Sequence, residues 1–392
     1  MAYVAARLEI LLRPANSSRS WLAVFLVLCI LLEIIAFPAT VIGTPVKHSL
    51  VVDYNTKAIL LEKNAGVLMH PSSMSKLMTL YMVFERLHEG DLSLDDTFVV
   101  NERAWRMGGS KMFVALKSSI AIADLLRGII VQSANDACIV IAENLAGSEK
   151  SFAEAMTAKA RRIGLTHSTF RNASGWPVPD HLMTARDLAT LARRLIIDFP
   201  EYYPLFREMY FTYNGIRQGN RNPLLYKQTL GADGLKTGHT EAGGYGLIAS
   251  AIRDGRRVIM VLNGLASIKQ REQESERLVE WSFRAFMNRN LFKANTEITT
   301  ADVWLGTQAT VPLVTNREII VTLPRAINKN VRATVVFDSP IPAPILRGER
   351  LATLVLTIPG IATPEIPLVA GVDIKRLSFS GRLLAAARHV LR

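Results

Sequence analysis

The sequence predicts an α+β fold in which helices surround an antiparallel sheet, followed along the chain by a smaller β-rich domain. Apolar residues recur at helical spacing in segments such as Met74–Leu87 and Thr184–Ile197. Two apolar strands, Gly246–Ile252 and Arg257–Asn263, are separated by a short polar turn that is typical of a hairpin. A chain of 392 residues is long enough for two domains.

The other elements are predicted from the same patterns. The strand-like runs Ser49–Val52 and Ala58–Leu61 flank a polar turn, and three more segments have helical character: Ala123–Val131, Asp136–Ala146 and Glu272–Met287. The first domain is therefore expected over residues 44–290. After it come short β-rich runs separated by Pro and Gly: Thr310–Val314, Glu318–Leu323, Arg332–Phe337, Leu351–Ile358 and Glu365–Val369. These runs predict a small β-sandwich over residues 291–371.

The N-terminal residues 1–43 have the composition of a secretory signal. Arg7, Arg13 and Arg19 precede the apolar run Trp21–Leu32, and small residues follow it. An uncleaved membrane anchor is the alternative, although the run is short for a span of about 20 residues. Either interpretation places the rest of the chain outside the cytoplasm. A nucleic-acid partner is therefore not expected, despite a formal net charge of +12 and a pI of about 9.8.

The C-terminal segment 372–392 alternates apolar and basic residues. On a helix, these two kinds of residue can segregate to opposite faces, which predicts an amphipathic helix that lies on a membrane surface. The alternative is a terminal helix packed on its own protein. With the export signal, the first interpretation predicts a peripheral protein on the periplasmic face of the inner membrane.

Cysteine and histidine usage predicts neither a disulfide nor a metal centre. Of the two cysteines, Cys29 lies in the signal segment, so Cys138 is alone in the mature chain and is expected to be a small buried residue. The histidines form no His-x-x-x-His pair, and the chain has no Cys-x-x-Cys motif and no Gly-rich phosphate loop. No metal and no cofactor are therefore expected.

The first motif that can carry chemistry places a lysine three residues after a serine. On a helix, Lys76 shares a face with Ser73 and can reach its hydroxyl. A serine becomes a nucleophile when a nearby base accepts its proton, and a lysine can do so only if its pKa is lowered. The spacing alone is weak evidence for a catalytic pair, because an ordinary helix start with a solvated lysine has the same pattern.

Two further motifs follow in the chain. Ser133 and Asn135 lie in the polar break between two apolar helices, where they could relay a proton and hold an amide, or simply cap the second helix. Lys236, Thr237 and Gly238 lead into a strand. They offer a cation and a hydroxyl beside a strand edge that Gly leaves open, or they form an ordinary turn.

The three motifs in this order match the serine–lysine set of penicillin-binding proteins and serine β-lactamases. The sequence closely resembles the low-molecular-weight D-alanyl-D-alanine carboxypeptidases, the serine DD-peptidases, over most of the mature chain. The segments that carry this resemblance are His70–Thr79, Gln132–Cys138, Asn172–Pro177, Thr184–Ala189 and Asp233–Thr240. The resemblance implies a β-lactamase/DD-peptidase-like catalytic domain, a β-rich second domain and a basic amphipathic tail.

The resemblance also implies catalytic roles for three residues. Ser73 would attack the peptide bond between the two D-alanines, Lys76 would accept its proton, and Ser133 would complete the proton relay. The partners implied are a peptidoglycan pentapeptide as substrate and β-lactams as inhibitors.

Substrate binding is assigned in the same way. Asn135 would hold the peptide, and Lys236, Thr237 and Gly238 would line the opposite wall. The backbone N–H groups of Ser73 and His239 would form an oxyanion hole. An arginine fork suits a carboxylate, and Arg271 would help to bind the terminal one; a solvated helix start is the alternative.

Small departures from the family pattern bear on rival functions. Ala134 and Trp176 stand where glycine and leucine are usual, and no Glu-x-x-Leu-Asn segment follows the second motif. The water-activating glutamate of common serine β-lactamases is thus not evident, and the second domain and tail also argue against a β-lactamase. A non-catalytic cell-wall scaffold is the other rival, but all three motifs are intact.

Overall fold

The structure, a computed structural model, describes residues 4–11, 42–327, 332–357 and 365–382. They form two compact units. One runs from Ile42 to Arg284, and the other begins at Ala285 and also includes the strand Val4–Leu11.

The helices follow in chain order. They are α1 (Lys76–Glu89), α2 (Glu102–Arg106), α3 (Ile122–Val131), α4 (Asn135–Ala146), α5 (Glu149–Arg162), α6 (Ala185–Asp198) and α7 (Ile268–Ala285).

The strands begin with β1 (Val4–Leu11), which belongs to the second unit. The strands of the first unit are β2 (His48–Asp53), β3 (Ile59–Lys63), β4 (Thr97–Val99), β5 (Ser119–Ala121), β6 (Tyr210–Tyr213), β7 (Ile216–Gly219), β8 (Ala232–Thr240), β9 (Gly244–Arg253) and β10 (Arg256–Leu265). The second unit adds β11 (Phe286–Phe292), β12 (Glu297–Trp304), β13 (Thr310–Thr315), β14 (Ile319–Pro324), β15 (Arg332–Ser339), β16 (Ile341–Pro342), β17 (Arg350–Thr357) and β18 (Glu365–Ala370).

The first unit is built on a five-stranded antiparallel sheet with the order β3-β2-β10-β9-β8. The central strands β9 and β10 read as nearly continuous apolar runs because most of their residues are buried. α6 packs on β2 and β10, while α3 and α4 pack on each other in a largely apolar cluster. β8 lies at an edge of this sheet, so its outward backbone groups can pair with an extended peptide.

Local sequence signals set the helix ends. A 3₁₀ turn at Ser72–Ser75 leads into α1, which ends at Gly90 in the left-handed conformation that favours glycine (φ +80°). The side chains of Ser148 and Thr184 accept backbone N–H bonds at the starts of α5 and α6. These caps orient the buried faces of the helices that surround the sheet.

A buried ion pair fixes the start of β8. The Arg257 guanidinium on β10 lies 2.7 Å from the Asp233 carboxylate, and the Tyr203 hydroxyl donates to the same carboxylate at 3.1 Å. Breaking a buried pair of this kind typically costs about 3–5 kcal/mol, because one charge is left uncompensated. The pair therefore ties down the strand that carries Lys236.

The second unit is a β-sheet domain. Its seven-stranded sheet has the order β1-β15-β17-β18-β13-β12-β16, and β11 pairs with β14 separately. Alternate residues of these strands point inward and form one apolar core, which includes Val311, Leu313, Leu323, Val335, Leu354 and Leu368. The α+β architecture with a β-rich second domain, as predicted from the sequence, is confirmed.

The structure differs from the predicted elements in several places. α1 begins at Lys76 rather than Met74, because the first turn is 3₁₀, and α7 ends at Ala285, where β11 begins. α5 was not predicted: its buried positions are few and are partly filled by alanine, so its apolar signal is weak.

The predicted terminal segments lie mostly outside the described residues. Of the signal segment 1–43, Val4–Leu11 forms β1 and pairs with β15. Of the tail, Ile374 is buried in the core of the second unit and the Leu377 backbone donates to Leu305, so this stretch belongs to the sheet domain. Residues 383–392 are not described. Within the described ranges, no helix has both the length and the apolar character needed to cross a bilayer.

Candidate active site

The centre of the site is the Lys76 ammonium group. Its Nζ donates to the Ser73 Oγ at 2.8 Å, to the Asn135 Oδ1 at 2.7 Å and to the Ser174 backbone carbonyl. The three acceptors come from the 3₁₀ turn, the start of α4 and the loop before α6, and all three are neutral. The Ser73–Lys76 contact predicted from the spacing is therefore present.

Burial governs the charge of Lys76. The side chain is wholly buried, and desolvation lowers its pKa from 10.5 to about 8. The positive charge of Arg221 lowers this pKa further, while Cys138 and Asp136 act in the opposite direction. A lysine with a pKa near 8 can exchange a proton with a bound hydroxyl at physiological pH.

Ser133 and Asn135 flank the N-terminus of α4. Ser133 has a left-handed backbone (φ +61°) and is 1% exposed, and its hydroxyl has no hydrogen-bond partner among the described residues. The Asn135 side chain is held at both ends, because its Oδ1 accepts from Lys76 and its Nδ2 donates to the Gly108 carbonyl at 3.0 Å. The second motif thus combines a fixed amide with a buried hydroxyl whose bonding capacity is unused.

Asp136 holds the neighbouring loop in place. Its buried carboxylate accepts backbone N–H bonds at 3.0, 2.9 and 3.3 Å from Met112, Phe113 and Val114. The loop that contributes Gly108 is therefore tied to the first turn of α4.

β8 brings the third motif against the 3₁₀ turn Ser72–Ser75, which carries Ser73. A Cβ at Gly238 would lie 3.0 Å from the Pro71 carbonyl oxygen and 3.1 Å from Ser72, so a larger residue would push the turn away by a few tenths of an ångström. Lys236 and Thr237 are both buried, and the Lys236 Nζ donates to the Thr237 carbonyl at 3.2 Å. Burial and the nearby charges of Lys76 and Arg221 lower the pKa of Lys236 well below its usual value.

The His239 ring lies outside this buried group. It is exposed and stacks on Tyr245, with ring centroids 3.9 Å apart. The third motif therefore contributes two buried polar side chains and an exposed ring at the end of the strand.

Two arginines complete a group of cations. Arg271, near the start of α7, is 7% exposed, and loss of hydration together with the charge of Arg221 lowers its pKa. An Arg271 guanidinium nitrogen lies 3.5 Å from the Arg221 carbonyl, and Arg221 donates to the Ser110 hydroxyl at 2.7 Å. Arg221 was not predicted, because it lies in no motif and only the fold brings it near Lys236.

The Ser174 loop was also missed as part of the site. The Asn172 Oδ1 accepts the backbone N–H groups of Ser174, Gly175 and Trp176 at 3.2, 2.7 and 3.0 Å. Gly175 has φ +76°, and a Cβ there would lie 2.0 Å from the Ser72 carbonyl oxygen. This segment could be found from its Asn-x-x-Gly turn signal, but its carbonyl contact with Lys76 could not.

Trp176 lies at the rim of the site. Its side chain is 44% exposed, and a Cβ at Gly109 would meet both the Trp176 ring at 3.0 Å and the Asn135 amide at 2.8 Å.

In the parts of the chain that the structure describes, no three His, Cys, Asp or Glu side chains are grouped as metal ligands.

The geometry agrees with comparisons to known proteins. A family model described as D-alanyl-D-alanine carboxypeptidase matches residues 40–266, and one for the C-terminal domain of penicillin-binding protein 5 matches residues 286–376. The chain belongs to the D-alanyl-D-alanine carboxypeptidase family. A relative from Escherichia coli K12, D-alanyl-D-alanine carboxypeptidase DacC, is 37% identical over 341 residues, which is 85% of each chain.

Solved structures of the family are similar as well. Penicillin-binding protein 5 from Haemophilus influenzae has a TM-score of 0.78 and 33% identity, covering 86% of this chain and all of that one. Penicillin-binding protein D2 from Listeria monocytogenes, solved in an ampicillin-bound form, has a TM-score of 0.57 and 30% identity, covering 62% of this chain and 98% of that one. The resemblance inferred from the motifs is confirmed, and with it the class of enzyme, a serine-type D-Ala-D-Ala carboxypeptidase.

Replacing Asn172 tests whether the Ser174 loop, whose carbonyl accepts from Lys76, is needed for activity. Asn172→Ala removes the acceptor that fixes the Ser174 loop, so we expect kcat for D-alanine release to fall about tenfold or more, the effect of about 1.4 kcal/mol on the barrier. Asn172→Asp keeps the acceptor oxygen and should recover part of the loss. Steady-state kinetics on both variants, with thermal unfolding as a folding control, gives the comparison; equal kcat values for Asn172→Ala and the unmodified protein would contradict it.

Proposed function

We propose that Ser73 is the nucleophile and Lys76 the base of a carboxypeptidase that removes the terminal D-alanine from peptidoglycan pentapeptides. The observation that carries this proposal is the 2.8 Å hydrogen bond between the Lys76 Nζ and the Ser73 Oγ, made by a buried lysine with a pKa of about 8. Removal of D-alanine leaves a peptide that can no longer donate its acyl group, so the activity limits cross-linking.

The proposed reaction has two halves. Neutral Lys76 takes the hydroxyl proton as the Ser73 oxygen attacks the carbonyl carbon between the two D-alanines. The backbone N–H groups of Ser73 and His239 are assigned to the oxyanion that forms. The carbon–nitrogen bond then breaks, and the leaving amine gains a proton that Lys76 delivers through the Ser133 hydroxyl. Water repeats the attack on the ester and regenerates Ser73.

The cations are assigned to the substrate's terminal carboxylate. Lys236, Thr237, Arg221 and Arg271 would surround it, and the Asn135 amide would hold the peptide on the other side. Three buried or partly desolvated cations repel one another, and a carboxylate relieves this repulsion. Burial, and then the positive charge of Arg221, lowers the pKa values of both Lys236 and Arg271, which supports an anionic ligand at this place.

β-Lactams are proposed to acylate the same serine. They carry a strained amide and a carboxylate that could use the same donors, and the relative from Listeria is solved with ampicillin bound. A β-lactamase, by contrast, would turn penicillin over rapidly while releasing no D-alanine from a pentapeptide. A non-catalytic cell-wall scaffold would be folded but would not bind a fluorescent penicillin.

Ser73→Ala tests the nucleophile. Removing the hydroxyl leaves no atom to form the ester, so D-alanine release and covalent labelling by a fluorescent penicillin should both fall below detection. Ser72→Ala is the matched control, because the neighbouring serine also carries a hydroxyl that is bound within the site. Labelling that persists in Ser73→Ala would place the nucleophile elsewhere.

The pH dependence tests the base. Lys76 must be neutral to accept the proton, so kcat/KM for D-alanine release should rise with pH and level off above an apparent pKa of about 8. Lys76→Arg should be inactive at every pH, because a guanidinium keeps its proton. Lys236→Arg is the control: it keeps a positive charge at the second buried lysine and leaves Lys76 in place, so kcat/KM should still rise with pH. A profile that is flat between pH 6 and 9 would contradict the assignment.

We propose that the protein is exported and held on the periplasmic face of the inner membrane by its C-terminal segment 372–392. The sequence of basic and apolar residues supports this, as does Phe379, whose side chain is 70% exposed. Because Ile374 and Leu377 belong to the sheet domain, the membrane-binding part is expected to begin at Ser378.

Deleting Phe379–Arg392 tests this anchor. The truncated mature protein should appear in the soluble fraction after cell lysis, whereas the full chain should sediment with membranes. Its D-alanine release should be unchanged, since residues 42–284 contain every residue assigned to the site. Continued sedimentation of the truncated protein would show that the tail is not the anchor.

A further inference from the structure

Two hydroxyl groups join the turn that carries Ser73 to the end of β8. The Ser72 Oγ and the Thr240 Oγ1 lie 2.8 Å apart and share a hydrogen bond. Ser72 is 2% exposed, and the Thr240 Oγ1 also accepts the Gly243 backbone N–H at 3.0 Å. Neither hydroxyl takes part in the proton transfers of the proposed reaction, so this bond between two distant segments needs another explanation.

The contact with Ser72 extends along β8 on both sides of His239. Gly238 and Thr240 are two positions apart on the strand, so they face the same side of it, and both lie against Ser72. A Cβ at Gly238 would be 3.1 Å from the Ser72 Cβ. The His239 ring is on the opposite side, where it stacks on Tyr245. The backbone of His239 is therefore held alongside Ser72 by the residue before it and the residue after it.

The chain neighbours of the two bonded residues are the two that are assigned to the oxyanion. Ser72 directly precedes Ser73, and Thr240 directly follows His239. Two backbone N–H groups can stabilise one oxygen only when both lie about 2.7–3.1 Å from it. The separation of the two segments must therefore be fixed. A side-chain bond one residue away from each N–H group is well placed to fix it.

The turn is also held in ways that do not depend on Thr240. The Ser72 backbone is left-handed, with φ of +51°, and its carbonyl accepts from the Ser75 hydroxyl at 3.1 Å. The Asn263 amide on β10 donates to the His70 carbonyl at 3.1 Å, which fixes the segment just before the turn. Loss of the hydroxyl bond is therefore expected to shift the turn relative to β8 and not to detach it.

We propose that the hydrogen bond between Ser72 and Thr240 sets the separation of the two backbone N–H groups that stabilise the oxyanion. Both are positioning residues, because they act through the backbone of Ser73 and His239 and not on the substrate. The inference rests on the proposed function, since it concerns the oxyanion of the same reaction. It predicts that loss of the bond weakens transition-state stabilisation and leaves substrate affinity unchanged.

Single variants test this on the full chain. Thr240→Val removes one hydroxyl and keeps the shape of the side chain, and Ser72→Ala removes the other. In each we expect kcat for D-alanine release from diacetyl-Lys-D-Ala-D-Ala to fall about tenfold, because a slightly displaced donor stabilises the oxyanion less. Both halves of the reaction pass through an oxyanion, so KM should stay within about twofold. Thr240→Ser keeps the hydroxyl and should restore kcat.

A double variant shows whether the two hydroxyls act through one bond. If they do, Ser72→Ala combined with Thr240→Val should be no slower than the slower single variant, whereas independent effects would multiply to about a hundredfold. The boronic acid analogue of N-acetyl-D-alanine gives a second measurement. The Ser73 oxygen adds to its boron and the hydroxyl proton passes to Lys76, which leaves a tetrahedral adduct that resembles the transition state. Its affinity should fall by the same factor as kcat.

Thr315→Val is the matched control in the second unit. Thr315 ends β13 as Thr240 ends β8, and its hydroxyl also joins two segments. It accepts the Thr296 backbone N–H at 3.0 Å and donates to the Lys293 carbonyl at 2.8 Å. The same substitution should lower the midpoint of thermal unfolding and leave kcat and boronate affinity unchanged.

The outcomes separate this inference from the proposed function. Unchanged kcat and boronate affinity in Ser72→Ala and Thr240→Val, effects that multiply in the double variant, or an equal loss in Thr315→Val would each overturn the positioning role, while D-alanine release by the unmodified protein stands. Ser72→Ala alone decides the matter if Thr240→Val does not fold. If the unmodified protein releases no D-alanine, the proposed function and this inference fail together.

Discussion

The site depends on the burial of one ammonium group among neutral partners. Lys76 is surrounded by a hydroxyl, an amide oxygen and a backbone carbonyl, so nothing in this first layer compensates its charge. A protonated amine in such a place loses its hydration without gaining an ion pair, and its pKa falls to about 8. Three further cations, Lys236, Arg221 and Arg271, add positive potential. The protein thus gives up folding stability to place beside a serine an amine that loses its proton more readily than a solvated lysine, and the same positive potential suits the carboxylate of a substrate.

That burial is possible only because two glycines let three separate segments meet. Gly238 brings β8 against the turn that carries Ser73, and Gly175 lets the Ser174 loop reach the Ser72 carbonyl. A side chain at Gly175 would meet the Ser72 carbonyl oxygen at 2.0 Å and displace backbone, whereas one at Gly238 would crowd the Pro71 carbonyl oxygen at 3.0 Å and loosen the contact. The carbonyl that Gly175 helps to position is one of the three acceptors of Lys76. The environment of the proposed base is therefore set by tertiary packing, and the helical spacing of Ser73 and Lys76 supplies only their mutual contact.

This explains what the sequence could predict and what it could not. The three motifs and the two-domain α+β fold follow from local patterns, because periodicity and turn residues act over a few positions. The five predicted β-runs after residue 290 agree with β13, β14, β15, β17 and β18 to within one or two residues. The two-residue β16 was missed, as were β11 and β12, which mix charged and apolar residues and look irregular. By contrast, the Ser174 carbonyl carries no side-chain signal, and Arg221 is about fifteen residues from the nearest motif residue. The lowered pKa of Lys76 depends on complete burial, and helical spacing alone is equally compatible with a solvated lysine.

Two residues of the site have unfavourable backbone conformations, and one of them also has an unsatisfied buried hydroxyl. Ser72 and Ser133 both adopt left-handed backbone conformations that non-glycine residues rarely occupy, with φ of +51° and +61°. The Ser133 hydroxyl is also buried without a partner among the described residues, a condition that typically costs about 1–3 kcal/mol. Such costs persist where the surrounding structure holds them, and they concentrate at functional sites. Here Asp136 and Asn135 hold the segment that carries Ser133, while Thr240 and Gly175 hold Ser72. The proposed proton relay needs a hydroxyl with unused bonding capacity, and this strain, more than the motif itself, supports Ser133 in that role.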